Sequence, residues 1–111
     1  MHNKRVVALV MVLALLLVVA APAAANTSAL LKTRVEDFRY RPRSQTGLTT
    51  DTFGWKNFGP SRHTVTSDDG VSFDSGAMAV GAIFPVTGLA PGTYAYHCSF
   101  HPTMMGRIIV N

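Results

Sequence analysis

The sequence predicts an all-β sandwich whose strands are joined by Greek-key connections. Three observations favour this fold class. No stretch beyond residue 25 keeps a helical period, short segments of alternating polarity recur, and glycine, proline, aspartate and serine separate those segments. The part of the chain after residue 25 has the length of one domain, and the seven to eight strands expected in it suit two packed sheets.

The first 25 residues predict an export signal. A short basic start precedes the apolar run Val6–Ala21, and Pro22–Ala25 ends in the small residues that a signal peptidase needs. The run is near the lower limit for crossing a bilayer, so we expect cleavage after Ala25, with a retained membrane anchor as the alternative. We therefore assign residues 1–25 to a signal peptide and residues 26–111 to one domain, in a periplasmic, secreted or cell-surface protein without stable membrane insertion.

Strands are predicted over seven segments in which β-branched and aromatic residues alternate with polar ones. Asp69-Gly70 forms a hairpin turn between the third and fourth segments, and Pro91-Gly92 turns the chain into the sixth. The only tryptophan, Trp55, is expected in the core. The segments are Leu31–Tyr40, Leu48–Lys56, His63–Ser67, Val71–Asp74, Ala82–Val86, Gly92–Cys98 and Met105–Val110.

Charge argues against a nucleic-acid partner. Without the signal segment, eight lysine and arginine residues face six aspartate and glutamate residues, which leaves a net charge of +2. Five of the eight cations lie between Lys32 and Arg43, but they lack the density and interleaved aromatics of a nucleic-acid site. We interpret them as a solvated strand face.

The single cysteine indicates a site for a soft metal. Cys98 lies close to His97, His101 and Met104, and His63 is a further histidine upstream. In an oxidising compartment a lone thiol forms a disulfide with another chain, stays free or binds a ligand. Thiolate, imidazole and thioether ligands together favour copper.

Strand alternation sorts the candidate ligands. In the sixth segment Tyr96 and Cys98 share a face, and His97 lies on the opposite one. If the tyrosine faces the core, Cys98 points inward and His97 points to solvent, so His97 is not expected to bind metal. The same alternation puts His63 and Val65 on one inward face.

The loop after Cys98 must turn, because Pro102 cannot continue a strand ladder. A single helical or 3₁₀ turn brings His101 and Met104 to the same side and leaves Met105 pointing elsewhere. Zinc gains little from a thioether, whereas copper accepts a thiolate and two imidazoles with a long axial methionine. The predicted ligands of one copper ion are His63, Cys98, His101 and Met104.

These motifs resemble the small blue copper proteins, or cupredoxins, of the plastocyanin and pseudoazurin type. The resemblance covers roughly Val35–Val110, and the Cys-x-x-His-x-x-Met spacing is most similar to amicyanin. It is carried by Trp55-Lys56-Asn57, His63-Thr64-Val65, Gly92–Cys98, His101-Pro102, Met104 and Gly106. It implies a cupredoxin-like fold with a type 1 copper site, in which His63, Cys98 and His101 bind in one plane and Met104 binds weakly along the axis.

The chain departs from the family pattern at two positions. Thr50-Asp51 replaces a usual Gly-Asp turn, and Thr64 replaces the asparagine that often follows the first histidine. A side chain at the second position helps to tie the two ligand loops together, so we expect its replacement to loosen the site or shift its potential.

The resemblance implies an exported electron carrier that is not an enzyme. Copper would alternate between its cuprous and cupric states in a monomer that docks transiently with redox partner proteins near His101. The expected docking ring consists of Gly59, Pro60, Phe100, Pro102 and Met105. A module that delivers or stores copper without redox cycling is the alternative, and a zinc-stabilised interaction domain is a third reading.

Overall fold

Eight β-strands form the part of the chain that the structure describes, residues 27–111 of a computed structural model. The predicted signal peptide lies outside the described residues. Between residues 27 and 111 there is no helix, and hence none long and apolar enough to cross a membrane. The strands are β1 (Leu30–Glu36), β2 (Arg39–Arg41), β3 (Ser44–Gly47), β4 (Thr52–Gly59), β5 (Thr66–Ser67), β6 (Ile83–Val86), β7 (Gly92–His97) and β8 (Met105–Val110).

The strands form two four-stranded sheets, with the orders β2-β1-β4-β6 and β3-β8-β7-β5. Each sheet is mixed, because β1 pairs with β4 and β3 pairs with β8 in parallel while the other neighbours are antiparallel. The chain changes sheet at every connection from β2 to β7. The predicted all-β sandwich is therefore confirmed, with eight strands.

The core lies between the sheets and is rich in aromatic side chains. Trp55 from β4 and Tyr96 from β7 are almost completely buried and meet edge to face, with ring centroids 5.4 Å apart. Tyr40 from β2 packs against Tyr96 in the same way at 4.7 Å. Edge-to-face contacts of this kind favour one relative orientation of the rings, so they fix how the two sheets sit on each other.

The first predicted strand is wrong in one respect, since Leu31–Tyr40 is a hairpin of β1 and β2. Asp37 and Phe38 form the turn, and Phe38 has a positive φ of 66°. Aspartate is depleted in strands and favoured in turns, and this preference outweighs the aromatic alternation on either side. The turn brings Asp37 to the end of the sandwich where the candidate ligands lie.

Other boundaries differ because side chains compete for backbone amides. Val71–Asp74 is not a strand, since the Asp69 carboxylate accepts hydrogen bonds from the amides of Val71 and Ser72. The turn spans Ser67–Gly70 with Asp68 and Asp69 at its centre, one residue earlier than predicted. Of the predicted strand His63–Ser67, only its last two residues form β5.

Two further differences lie in the first half of the chain. β4 begins at Thr52 because Asp51 closes a turn with Leu48, where its carboxylate accepts the Leu48 amide at 2.8 Å. The polar strand β3 was not predicted, since it carries no apolar alternation and pairs only with β8.

Gly106 in β8 allows Tyr96 to pack flat against the neighbouring strand. A β-carbon at Gly106 would lie 2.5 Å from both Cζ and the hydroxyl oxygen of Tyr96. Tyr96 has no exposed surface and is enclosed by Trp55, Tyr40 and Phe73, so its ring has little room to move away. Gly106 is therefore required by packing.

We predict that Gly106→Ala lowers the free energy of unfolding by about 1–3 kcal/mol, because the added methyl group overpacks a filled core. Urea denaturation of the copper-free protein measures this change. Arg107→Ala, at an exposed position of the same strand, is the control and should stay within about 0.5 kcal/mol of the wild type. Equal losses in the two variants would contradict the packing argument.

Candidate metal centre

Two connections bring a thiol and two imidazoles together at one end of the sandwich. His63 lies between β4 and β5, Cys98 directly follows β7, and His101 lies in the loop between β7 and β8. The Cys98 Sγ atom is 3.7 Å from the Nδ1 atoms of both His63 and His101. The potential ligand atoms of the three residues all lie within 4.8 Å of one another. The structure thus brings together three of the four predicted residues, with the Nδ1 atoms of both histidines near the sulfur.

Burial protects this cluster from solvent. His63 and Cys98 have no exposed surface, and His101 is half-buried. Met104, the fourth predicted residue, is 2% exposed, whereas Met105 is 48% exposed. The two methionines therefore point in opposite directions, as the turn at Pro102 predicts.

Backbone hydrogen bonds hold the loop after Cys98 closed. The His101 amide donates to the Cys98 carbonyl at 3.2 Å, and the Met104 amide donates to the His101 carbonyl at 2.8 Å. The Cys98 amide donates in turn to the Met104 carbonyl at 3.0 Å. Both ends of the loop are thereby joined, which restricts the positions of all three side chains.

His97 lies on the outer face of β7, as strand alternation predicts. Its Nδ1 atom is 2.6 Å from an Asp68 carboxylate oxygen, and its side chain is 31% exposed. Tyr96 and Cys98, on either side of it in sequence, have no exposed surface. The histidine next to the thiol in sequence thus belongs to a surface pair and not to the cluster.

Thr64 links the two ligand connections, so the expected loosening is not found, and the expected shift in potential stays a prediction. The Thr64 amide donates to Cys98 Sγ at 3.4 Å, and the Thr64 hydroxyl accepts a hydrogen bond from the Ser99 amide at 2.7 Å. A hydrogen bond between the hydroxyl oxygens of Thr66 and Ser99, which are 3.1 Å apart, reinforces the link. A threonine hydroxyl therefore supplies the acceptor for which the sequence pattern suggested an asparagine.

Asp37 contacts the cluster and was missed by sequence reasoning. Its Oδ1 atom is 2.9 Å from His63 Nε2, the ring nitrogen that faces away from Cys98. The Ser61 amide donates a hydrogen bond to the same carboxylate. This bond and, to a smaller extent, the hydrogen bond with His63 hold the pKa of Asp37 below its usual range. The available signal was an aspartate within a presumed strand, where it is disfavoured.

Phe38, the other turn residue, lies against His101. The two ring centroids are 5.0 Å apart and the rings are nearly perpendicular. Of the expected docking ring, Phe100 and Met105 are about half exposed. Pro60 and Pro102 are also exposed, whereas Gly59 is buried beneath Val80. Phe38 is 65% exposed and is an apolar surface residue that the sequence did not indicate.

The donor set suits copper. One sulfur and two imidazole nitrogens converge, two of the three residues are fully buried, and a buried methionine completes the loop. This is the combination of soft and borderline ligands that copper accepts in both oxidation states. The cluster of His63, Cys98 and His101, with Met104, matches a type 1 copper site.

Comparisons with known proteins agree with this chemistry. The family model of the cupredoxin-like domain matches residues 9–110. A search of curated protein sequences finds no match. Among solved structures, an oxidised variant of amicyanin is 25% identical with a TM-score of 0.68, and the match covers 73% of this chain and 81% of that one.

Two further structures share the fold. A purple cupredoxin from Nitrosopumilus maritimus is 23% identical with a TM-score of 0.67, over 73% of this chain and 99% of that one. A copper-containing nitrite reductase from Thermus scotoductus is 22% identical with a TM-score of 0.67, over 73% of this chain but only 22% of that one. By its family match and its cluster of a thiol and two imidazoles, the chain belongs to the cupredoxin-like domain family.

Proposed function

We propose that the protein is an exported carrier of single electrons that holds one copper ion between His63, Cys98, His101 and Met104. The observation that carries this proposal is the placement of the Cys98 sulfur at 3.7 Å from the Nδ1 atoms of two histidines in a loop closed by hydrogen bonds. Such a site needs little rearrangement to accept an ion, or to keep the ion in place when its charge changes.

Each residue has a distinct proposed role. The Cys98 thiolate and the Nδ1 atoms of His63 and His101 would hold the ion most strongly, and the Met104 thioether would be its weaker ligand. When bound, copper supplies a one-electron couple, and the protein supplies the geometry. The amide of Thr64 stabilises negative charge on the sulfur, and the burial of Cys98 and His63 excludes water.

We further propose that partner proteins dock transiently around the half-buried edge of His101. Exposed apolar side chains there, Phe38 and Phe100 among them, suit a small interface that separates quickly. Four protein donors would leave no open coordination position for a substrate, so the proposed role is electron transfer by a monomer and not catalysis. With cleavage after Ala25, the carrier would work in the periplasm, outside the cell or at its surface.

We predict that the purified protein loaded with cupric ion shows the intense visible absorption of thiolate-to-copper charge transfer. Cys98→Ser should abolish the band, whereas His97→Ala should leave it intact because His97 faces Asp68 on the surface. Visible absorption spectroscopy measures both. A colourless cupric complex, together with ready release of cuprous ion to a chelator, would favour copper delivery or storage over electron transfer.

The two methionines should behave differently in voltammetry. Met104→Gln replaces a soft sulfur by a harder oxygen, which favours the cupric state, so we expect a lower reduction potential. Met105→Gln, at an exposed position, is the matched control and should leave the potential unchanged. A shift in Met105→Gln without one in Met104→Gln would mean that Met105, and not Met104, supplies the thioether ligand.

Copper should also stabilise the fold. Binding to the folded state alone adds about 2.7 kcal/mol when the free ion is at 100 times its Kd. Scanning calorimetry with and without copper should therefore show a lower Tm for the copper-free protein. Equal Tm values would exclude a tight site, and tightly bound zinc in the natively purified protein would support the zinc-stabilised alternative.

A further inference from the structure

The turn between β1 and β2 contributes a carboxylate that sequence reasoning did not assign. Asp37 is 26% exposed in its side chain and lies against His63, which is completely buried. Its Oδ1 atom is 2.9 Å from His63 Nε2. It follows that the ring of His63 is held between Cys98 on one side and a carboxylate on the other.

The carboxylate is itself fixed in place. The Ser61 amide donates to Oδ1 at 2.9 Å, and the Ser61 hydroxyl donates to Oδ2 at 3.0 Å. Ser61 precedes His63 by two residues, so Asp37 is hydrogen-bonded to two residues of the connection between β4 and β5. Any rotation of the Asp37 side chain would break bonds to both residues.

This arrangement selects one tautomer of His63. An ionised carboxylate only accepts hydrogen bonds, so in the neutral ring the proton must be on Nε2. The lone pair is then on Nδ1, the atom that faces Cys98 Sγ at 3.7 Å. A ring with its proton on Nδ1 would turn a donor toward the site and leave Asp37 without its partner.

We propose that Asp37 is a positioning residue, which fixes the tautomer of His63 and, through its negative charge, favours the cupric over the cuprous state. This inference rests on the proposed copper centre. Negative charge passed through a bound imidazole makes the ring a stronger donor, and partners of this kind typically change metal affinity by 10–100-fold. The negative charge of Asp37 should stabilise cupric ion more than cuprous ion, because cupric ion carries the larger positive charge.

His101 has no carboxylate partner comparable to Asp37 among the described residues. In the described part of the chain, His101 is hydrogen-bonded to no carboxylate, and its ring neighbours are Cys98, His63 and the Phe38 ring. The carboxylate therefore acts on the site through the buried His63, while the half-buried His101 keeps an edge at the surface.

The copper-free protein provides the first test. Nitrogen NMR of histidine side chains, at a pH where the rings are neutral, should find the His63 proton on Nε2. Asp37→Asn keeps an amide oxygen as acceptor and should preserve this tautomer, whereas Asp37→Ala should give a mixture. Finding the proton on Nδ1 in the wild type, or an unchanged tautomer in Asp37→Ala, would overturn the proposed positioning role.

Voltammetry of the copper-loaded protein tests the charge. Asp37→Asn should raise the preference for cuprous over cupric ion about tenfold, which is about 59 mV for a one-electron couple. Asp68→Asn is the matched control, because it removes the same charge from the histidine–carboxylate pair of His97 on the outer face. A shift in Asp37→Asn no larger than that in Asp68→Asn would overturn the proposed effect on potential.

The two measurements separate this proposal from the proposed function. If the wild-type protein fails to bind copper as a coloured complex, the electron-carrier proposal fails. The tautomer measurement needs no metal and still decides whether Asp37 orients His63. Ser61→Ala removes only the hydroxyl bond to Asp37. We therefore expect this variant to lose less of the Nε2-protonated form of His63 than Asp37→Ala does.

Discussion

The buried thiol of Cys98 is the constraint on which the rest of this structure depends. A thiol at the end of a strand can be held between two imidazoles only if two separate connections approach it and stay there. The Thr64 amide, in the connection between β4 and β5, donates a hydrogen bond to the sulfur. The hydrogen bond from the Cys98 amide to the Met104 carbonyl closes the connection between β7 and β8. Because the backbone groups satisfy one another, the side chains that surround the sulfur are held in place by the fold.

The core extends this rigidity away from the thiol. Tyr96 lies two residues before Cys98 on the same face of β7 and packs edge to face with Trp55 and Tyr40. The Tyr40 hydroxyl donates to the Thr64 carbonyl at 2.5 Å, so the aromatic core is hydrogen-bonded directly to the His63 connection. The same rings that join the two sheets therefore also hold the residues next to the candidate ligands.

The turn at Asp37 and Phe38 acts on both histidines. Asp37 binds the far side of the His63 ring, and Phe38 covers one edge of His101. Phe38 has a left-handed backbone conformation that non-glycine residues rarely adopt, at a cost of order 1–3 kcal/mol. A residue kept there at such a cost suggests that the position of the turn matters to the site.

The sequence by itself determined the fold class, the inward direction of Cys98 and the surface position of His97, because strand alternation is a local property of the backbone. His63 is buried as expected, but it lies outside the strands and Thr64 beside it is buried too, so alternation does not account for its direction. The sequence also indicated the turn at Pro102, since proline cannot continue a ladder. Only the tertiary structure decided that Asp37 reaches His63 and that Thr64 joins the two connections. Those contacts link residues 26 and 35 positions apart, and such pairings depend on how the strands cross between sheets, which no local pattern encodes.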